Sequence, residues 1–150
     1  MQIYTDGSYN KKKNRKICGY GGVIINGEDI TIIYGAIDDP GYVSMWNVGG
    51  ELWAVIAAVD YAINHLHATE LDIYYDYNGV EKWATGEWRA KNPITRGYKK
   101  YMNDKQEECK IRFHKVKAHS GVKYNELADK YANKGIELYV DNQLRVEKYK

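Results

Sequence analysis

At 150 residues, with 44% hydrophobic and 28% charged residues, the chain has the size and composition of a small globular protein. Its net charge of +2 identifies no partner, its two cysteines lack metal-ligand spacing, and no apolar run approaches the length of a membrane span. These features argue against a membrane protein and a disulfide scaffold, and they predict one cytoplasmic, reduced domain over 1–150, with a tail of uncertain structure over about 139–150. A monomer is expected.

The first strand is predicted to end at an acid. Residues 2–5 favour extended structure, Asp6 follows them, and Gly7 permits a bend that a larger residue would resist. This arrangement places the carboxylate of Asp6 at the carboxyl end of a strand, which is where ligands and chemistry gather in α/β folds. Later parts of the chain are therefore expected to supply partners for Asp6.

Two more strand-like runs follow, over 17–25 and 30–34. The Asn26-Gly27 dipeptide between them is typical of a type I′ hairpin turn, in which both central residues need positive φ. The first three strands are therefore predicted to form an antiparallel meander. The basic segment 11–16 is predicted to be the loop that joins the first two strands.

Apolar residues spaced three and four apart predict a helix that begins at Glu51. A fourth strand over 71–75 ends at Asp76, and the strand–helix–strand order predicts a parallel neighbour in the sheet. The chain is then predicted to add a short helix, an amphipathic helix, a fifth strand and a final helix, over 80–83, 95–108, 111–116 and 125–138. The order β-β-β-α-β-α-α-β-α predicts an α/β fold, with a mixed five-stranded sheet and helices packed on it.

Four carboxylates stand out by position, two at strand ends and two on helices: Asp6, Glu51, Asp76 and Asp129. Each alone has an ordinary interpretation, as a turn residue, a helix-start residue or an exposed helix acid. If the first and fourth strands are adjacent and parallel, the two strand-end acids lie side by side, and such a cluster repels itself unless cations neutralise it. Hard divalent cations with oxygen ligands, such as Mg²⁺, are the natural solution.

His119 lies on a glycine-containing loop, ten residues before Asp129. A single loop histidine is more often a surface or packing residue. Beside a metal cluster it becomes a candidate proton shuttle, because histidine titrates near neutral pH.

Two basic stretches, 11–16 and 89–100, have two possible roles. They are either solvated surface or contacts to the phosphates of a nucleic acid. Trp83 and Trp88 could stack on a sugar or a base. Packing between helix and sheet is the more ordinary role for both tryptophans.

The sequence resembles type 1 ribonucleases H from Ile3 to about Ile136. The order of the matching pieces and the spacing of His119 and Asp129 make the resemblance specific. The pieces are Tyr4-Thr5-Asp6-Gly7-Ser8, Gly19-Tyr20-Gly21, Asn47 four residues before Glu51, the strand ending at Asp76, Lys117-Ala118-His119-Ser120-Gly121 and Asn125-Glu126-Leu127-Ala128-Asp129. Segments 75–79 and 83–88 further resemble the bacterial and phage branch that is often joined to a viroplasmin-like hybrid-binding domain.

The resemblance implies a ribonuclease H-like fold and endonucleolytic cleavage of the RNA strand of an RNA–DNA hybrid, leaving 5′-phosphate and 3′-hydroxyl ends. It implies that the four carboxylates bind two Mg²⁺ ions, for which Mn²⁺ can substitute. One ion would activate water, the other would stabilise the leaving 3′ oxygen, and His119 would assist proton transfer or product release. The residues predicted to contact nucleic acid are Gly7, Ser8, Asn47 and Asn78. RNA would be selected through its 2′-hydroxyls in a wide minor groove.

Two other functions are compatible with the same fold. A binding module would hold hybrids without cutting them, but an inactive relative would usually have lost one of the four acids, and all four are present. A related nuclease would act on double-stranded or branched DNA, and the His119 loop followed by Asn125-Glu126 favours ribonuclease H instead.

The segment 86–94 departs from some relatives, because it is too short for the long basic protrusion that they carry there.

Overall fold

The computed structural model describes residues 1–117 and 122–150, and these residues form six strands and five helices. The strands are β1 (Gln2–Lys12), β2 (Arg15–Asn26), β3 (Asp29–Ile37), β4 (Glu70–Tyr75), β5 (Lys110–Lys115) and β6 (Arg145–Tyr149). The helices are α1 (Pro40–Val43), α2 (Asn47–Asn64), α3 (Gly79–Thr85), α4 (Pro93–Glu108) and α5 (Lys123–Glu137). In this described part of the chain, no helix is long and apolar enough to cross a membrane.

The six strands form one mixed sheet in the order β5-β4-β1-β2-β3-β6. β4 pairs in parallel with β1 and β5, and the other neighbours are antiparallel. The predicted α/β fold and mixed sheet are confirmed, but the prediction of five strands is wrong, because Arg145–Tyr149 pairs with β3 at the sheet edge. The sequence of this strand, RVEKY, is rich in charge, as is typical of an edge strand, and it lacks the apolar alternation that would identify it.

Helices cover both faces of the sheet. The larger core lies between the sheet and α1 to α4, and it includes Ile3, Val55, Ile73, Tyr98 and Met102. A smaller cluster lies between the sheet and α5, where Val23, Ile32 and Tyr34 meet Ala128. Since side chains alternate along a strand, successive residues of β1 face different helices.

β1 runs without a break through Asp6 and Gly7 to Lys12, so the predicted strand end and bend are wrong. What ends before Asp6 is the parallel pairing with β4, whose last paired residues are Tyr4 and Tyr74. Beyond that point β1 continues with β2 beside it. Asp6 therefore lies two residues past the end of the parallel ladder, where β1 and β4 separate.

The type I′ pattern of φ angles occurs in the first hairpin instead of the second. The loop Lys13-Asn14 joins β1 to β2, and its two residues have φ values of 53° and 66°. The basic segment 11–16 is therefore a hairpin tip into which both strands continue. The second hairpin turns at Gly27-Glu28, one residue later than the predicted Asn26-Gly27, and only its glycine has positive φ.

α2 begins at Asn47, one turn before the predicted start at Glu51. The sequence Gly49-Gly50 favours a loop, yet both glycines lie inside the first turn of the helix. Here they permit close packing, because a Cβ on Gly50 would overlap the backbone carbonyl of Gly19 in β2. The predicted apolar positions further along the helix are buried, among them Leu52, Val55 and Val59.

Gly7 marks the place where α2 crosses β1. A Cβ at this position would overlap the backbone nitrogen of Glu51 and the carbonyl of Asn47. We expect Gly7→Ala to lower the free energy of unfolding by about 2 kcal/mol or more, because overpacking displaces the helix. Urea unfolding measures this change.

The matched control is Gly97→Ala in α4, where an added Cβ meets nothing within 4 Å. Alanine is the better helix former, so this variant should gain about 0.5–1 kcal/mol. Equal stability of the two variants would contradict the close crossing of α2 and β1.

Candidate active site

Asp6 occupies a nearly buried position in β1, with 9% of its surface exposed. By strand alternation it lies on the same side of the sheet as Tyr4, which packs in the cluster under α5. One carboxylate oxygen accepts a hydrogen bond of 2.9 Å from the backbone amide of Gly7. The predicted partner acids must therefore approach Asp6 around the end of the β1–β4 ladder.

Glu51 approaches from the opposite face of the sheet, on the second turn of α2. It is 2% exposed, and among residues 1–117 and 122–150 no donor meets either of its carboxylate oxygens at normal hydrogen-bond geometry. The Thr5 hydroxyl and the Asp76 backbone lie near enough to lower its pKa, but burial outweighs them. Buried carboxylates are normally stabilised by donors or by cations. Glu51 therefore occupies a position that calls for a positively charged partner.

Asp76 follows the last residue of β4 and completes a cluster of three acids. One carboxylate oxygen from each of Asp6, Glu51 and Asp76 lies within 4.8 Å of the others. The side chain of Lys115 in β5 donates to the backbone carbonyl of Asp76, which ties the end of β4 to its neighbour. The parallel pairing of β1 with β4 thus brings the two strand acids together, as the sequence predicts.

Asp129 approaches the cluster from α5. It is half-buried, and its nearby negative charge raises the pKa of Asp6. Asn125, one helical turn earlier, is buried, and its Oδ1 has no hydrogen-bond donor among the described residues. The four predicted acids are therefore neighbours in space, and they are called the acidic centre below.

Burial and mutual repulsion dominate the electrostatics of the acidic centre. Burial, followed by the charges of Asp76 and Asp129, raises the pKa of Asp6 to about 8, against the lowering by its backbone hydrogen bond. Burial, followed by the charges of Asp6 and Asp76, raises the pKa of Glu51 well above its usual range. The folded chain therefore concentrates negative charge where it is unfavourable without a counter-ion.

The acidic centre has the chemistry of a site for a hard cation. Every acidic ligand atom is a carboxylate oxygen, and the two oxygens of Glu51 are buried with no hydrogen bond of normal geometry in the described chain. Mg²⁺ favours such a set of a few carboxylates, completed by water and substrate phosphate. The residues present therefore fit a divalent cation, which would also neutralise their repulsion.

The predicted nucleic-acid contacts fall into two groups. Asn47 and Asn78 are exposed, and the side chain of Asn78 makes no capping hydrogen bond to α3. Gly7 is covered on one side by α2, and the hydroxyl of Ser8 is buried without a partner in the described residues. The two asparagines therefore expose side-chain amides to solvent, whereas Gly7 and Ser8 expose no polar side-chain group.

His119 lies outside the residues that the structure describes, so its proton-transfer role stays a prediction. The basic stretch 89–100 borders a cavity of about 560 Å³ whose lining includes Arg89, Arg96, Lys99 and Lys100. In the hairpin tip 11–16, the ammonium of Lys12 donates to the carbonyls of Glu137 and Tyr139, while the other bases are exposed. Both stretches thus offer cations to solvent.

Trp83 and Trp88 pack against each other, with ring centroids 5.5 Å apart in an edge-to-face arrangement. Both rings also contact Tyr77, at 5.9 and 6.2 Å between centroids. This aromatic cluster fixes the chain that leaves α3. Its geometry agrees with the packing role for these two tryptophans.

An ion cluster that the sequence did not indicate joins β4 to β5. Arg112 donates two hydrogen bonds to Asp72, at 2.8 and 3.0 Å, and His114 Nε2 lies 2.8 Å from the same carboxylate. These partners hold the pKa of Asp72 well below its usual range. Asp72 is only four residues from Asp76, but its charge is neutralised within this pairing. The sequence signal for this ion cluster is the alternation of polar residues along β4 and β5.

The chain matches known ribonucleases H in sequence and in fold. A family model described as RNase H matches residues 1–137. The chain is 33% identical to the ribonuclease H of Agrobacterium fabrum over 93% of this chain and 96% of that protein. RNase H1 from the archaeon Halobacterium salinarum has the same fold, with a TM-score of 0.72 at 23% identity over 91% of this chain and 96% of that one.

A second solved structure is LC11-RNase H1 in complex with an RNA/DNA hybrid, from a protein isolated from compost by a metagenomic approach. It has a TM-score of 0.65 at 18% identity, over 90% of this chain and 98% of that one. The family match spans the whole acidic centre, from β1 to α5. The chain belongs to the ribonuclease H family.

Proposed function

We propose that the acidic centre carries out the ribonuclease H reaction of this chain. The reaction is endonucleolytic hydrolysis of the RNA strand of an RNA–DNA hybrid, leaving 5′-phosphate and 3′-hydroxyl ends. The observation that carries the proposal is the convergence of Asp6, Glu51 and Asp76, which bring one carboxylate oxygen each within 4.8 Å of the others, with Glu51 buried. The related LC11 protein, whose structure contains an RNA/DNA hybrid, supports this choice of substrate.

Asp6, Glu51, Asp76 and Asp129 would hold two Mg²⁺ ions, and Mn²⁺ could replace them. Bound in pairs, such ions activate a water and stabilise the leaving 3′ oxygen of the cleaved strand. The carboxylates themselves fix the place where the scissile phosphate lies, because a phosphodiester approaches this negative surface only where cations neutralise it. His119 would assist proton transfer or product release.

Recognition of the hybrid would be by shape and charge. Asn47 and Asn78 would contact the minor groove with their exposed amides, while backbone groups near Gly7 and Ser8 approach the RNA strand. A protein that contacts 2′-hydroxyls requires RNA in one strand, and it needs no contact with the base edges. Binding should therefore be nearly independent of sequence and should weaken with salt.

The test is cleavage of labelled RNA–DNA hybrid, double-stranded RNA and double-stranded DNA, each with Mg²⁺ or with EDTA. The expected result is cleavage of hybrid RNA only, only with the metal, and with 5′-phosphate ends. Glu51→Gln is the matched inactive variant. Equal cutting of double-stranded DNA would overturn the substrate assignment, and tight hybrid binding without cleavage would indicate a binding module.

The hairpin tip 11–16 supplies a prediction about salt. Replacing the exposed Lys11, Lys13 and Lys16 by Ser should weaken hybrid binding and reduce the slope of log K against log salt by about 1–3, since each phosphate contact contributes ~0.9. Fluorescence anisotropy over a salt series measures this slope. The control is replacement by Ser of Lys148, within the edge strand β6, and of Lys150, just after it. An unchanged slope would mean that the lysines of the hairpin tip are solvated surface residues that contact no phosphate.

A further inference from the structure

Trp46 differs from the other three tryptophans of the chain in its surroundings. It is 64% exposed, whereas Trp53, Trp83 and Trp88 each contact at least one other aromatic ring. Among residues 1–117 and 122–150, no aromatic ring or cation stacks on the indole of Trp46. An isolated apolar side chain needs no special explanation by itself. The backbone of Trp46 supplies the second observation.

Trp46 has a backbone conformation that favours glycine, with φ 56° and ψ −135°. Residues with a Cβ are held in such regions only when their surroundings impose it, and such residues cluster at functional sites. The surroundings of Trp46 do impose it. Its amide donates to Val43 at 3.1 Å, and its carbonyl accepts from the Gly49 amide and the Cys18 thiol, both at 3.1 Å. A strained backbone thus fixes an unpartnered indole.

The position of Trp46 relates it to the acidic centre. Trp46 is the N-cap residue of α2, and Asn47, whose carbonyl packs against Gly7, follows it directly. Glu51 lies five residues after Trp46, which corresponds to about 7.5 Å along the helix axis. A duplex seated on the acidic centre therefore passes beside the exposed indole.

We infer that Trp46 packs its indole against a sugar of the bound hybrid, in the minor groove. The inference rests on the proposed function. The bases of an intact duplex are stacked on one another, so a flat apolar ring in the groove meets sugar faces and not base faces. Contact with a sugar is independent of sequence and of charge. Trp46 would therefore add affinity and register while the acidic centre performs the chemistry.

The first test compares three replacements of Trp46. Trp46→Gly removes the ring and the strain together, so its Tm should not fall, and a rise of about 2–4 °C is expected. Its KM and Kd for hybrid should rise about 5- to 30-fold, while kcat changes less than twofold. Trp46→Ala should match the Gly variant in affinity, and Trp46→Phe should retain most of the wild-type affinity.

The control is Leu144→Ala, which removes another exposed apolar side chain in the C-terminal segment and should leave both constants unchanged. Two further readouts separate the sugar from other partners. The salt slope should be the same in Trp46→Gly and wild type, whereas loss of a phosphate contact would lower it by about 1. The loss caused by Trp46→Gly should persist on hybrids with an abasic site, which keep the sugar and lack the base.

The outcomes separate this inference from the proposed function. If the wild-type chain cleaves hybrid and Trp46→Gly keeps KM and Kd within twofold, the inference is wrong and the proposed function stands. If the loss disappears on abasic hybrids, the ring contacts a base, and the sugar contact is wrong. If the wild-type chain neither binds nor cleaves hybrid, the proposed function itself fails.

Discussion

Asp76→Asn is expected to lower kcat on RNA–DNA hybrid at least about 10³-fold while leaving Kd within threefold. Asp76 contributes one of three carboxylate oxygens that lie within 4.8 Å of one another. An amide has almost the same shape and keeps one oxygen, but it removes a negative charge, which is what a hard cation requires of its ligands. Hybrid binding depends on phosphate and groove contacts and does not need this charge.

The matched control for Asp76→Asn is Asp72→Asn. Both change an Asp to Asn, one in β4 and one just beyond it, but the carboxylate of Asp72 is paired with Arg112 and His114. This control should keep wild-type kcat. Single-turnover cleavage and anisotropy on the same labelled hybrid measure the two constants. Full activity in Asp76→Asn, or equal loss in both variants, would remove Asp76 from the site.

The sequence predicts the candidate acids but not the strand pairing that joins two of them. The strand–helix–strand order predicts a parallel neighbour for the fourth strand without saying which strand it is, because the helix follows β3 and not β1. In the structure that neighbour is β1, so Asp6 and Asp76 lie past the same end of one ladder. Helical periodicity predicts the helix that carries Glu51, and both position and the family resemblance single out Asp129 on α5. The candidate acids can therefore be read from the sequence, whereas their convergence depends on the sheet topology.

Features that depend on tertiary contacts could not be predicted in the same way. From the sequence alone, Gly7 suggests a bend. In the structure a glycine is needed there because α2 crosses β1 at this point, and the contact comes from Glu51, more than forty residues away. β6 exists because β3 offers an unpaired edge, and nothing in RVEKY alone requires a strand. The positive φ of Trp46 likewise comes from hydrogen bonds to Val43 and Cys18.

The stability of the chain should depend on cations through Asp6. In EDTA at about pH 8, we expect Asp6→Asn to raise the free energy of unfolding by about 2 kcal/mol, because a buried charge facing other acids is removed. The pKa of Asp6 is raised from 3.8 to about 8, chiefly by burial and then by the charges of Asp76 and Asp129, and each unit of difference corresponds to ~1.4 kcal/mol. A gain of this size is therefore a fraction of the cost that burial and repulsion together impose on the ionised carboxylate. The same variant should be inactive on hybrid.

The direction in which stability changes with pH follows from the raised pKa of Asp6. Between about pH 4 and pH 8 the folded chain keeps a proton on Asp6 that the unfolded chain releases, so the contribution of this group to stability falls as pH rises. Saturating Mg²⁺ should therefore raise the wild-type Tm more at about pH 8 than at about pH 5.5, since a cation binds the deprotonated carboxylates. Asp6→Asn should show a flatter pH dependence and a smaller Mg²⁺ increment.

Asp72→Asn is expected to change the free energy of unfolding in the opposite direction to Asp6→Asn. Because Arg112 and His114 stabilise the ionised form of Asp72, its removal should lower the free energy of unfolding by about 1 kcal/mol at neutral pH and should leave the Mg²⁺ increment unchanged. Thermal and urea unfolding at the two pH values, with Mg²⁺ or EDTA, test both variants together. If Asp6→Asn were less stable than wild type in EDTA at both pH values, repulsion would not dominate the acidic centre. An equal Mg²⁺ increment in wild type and Asp6→Asn would mean that the cation binds elsewhere.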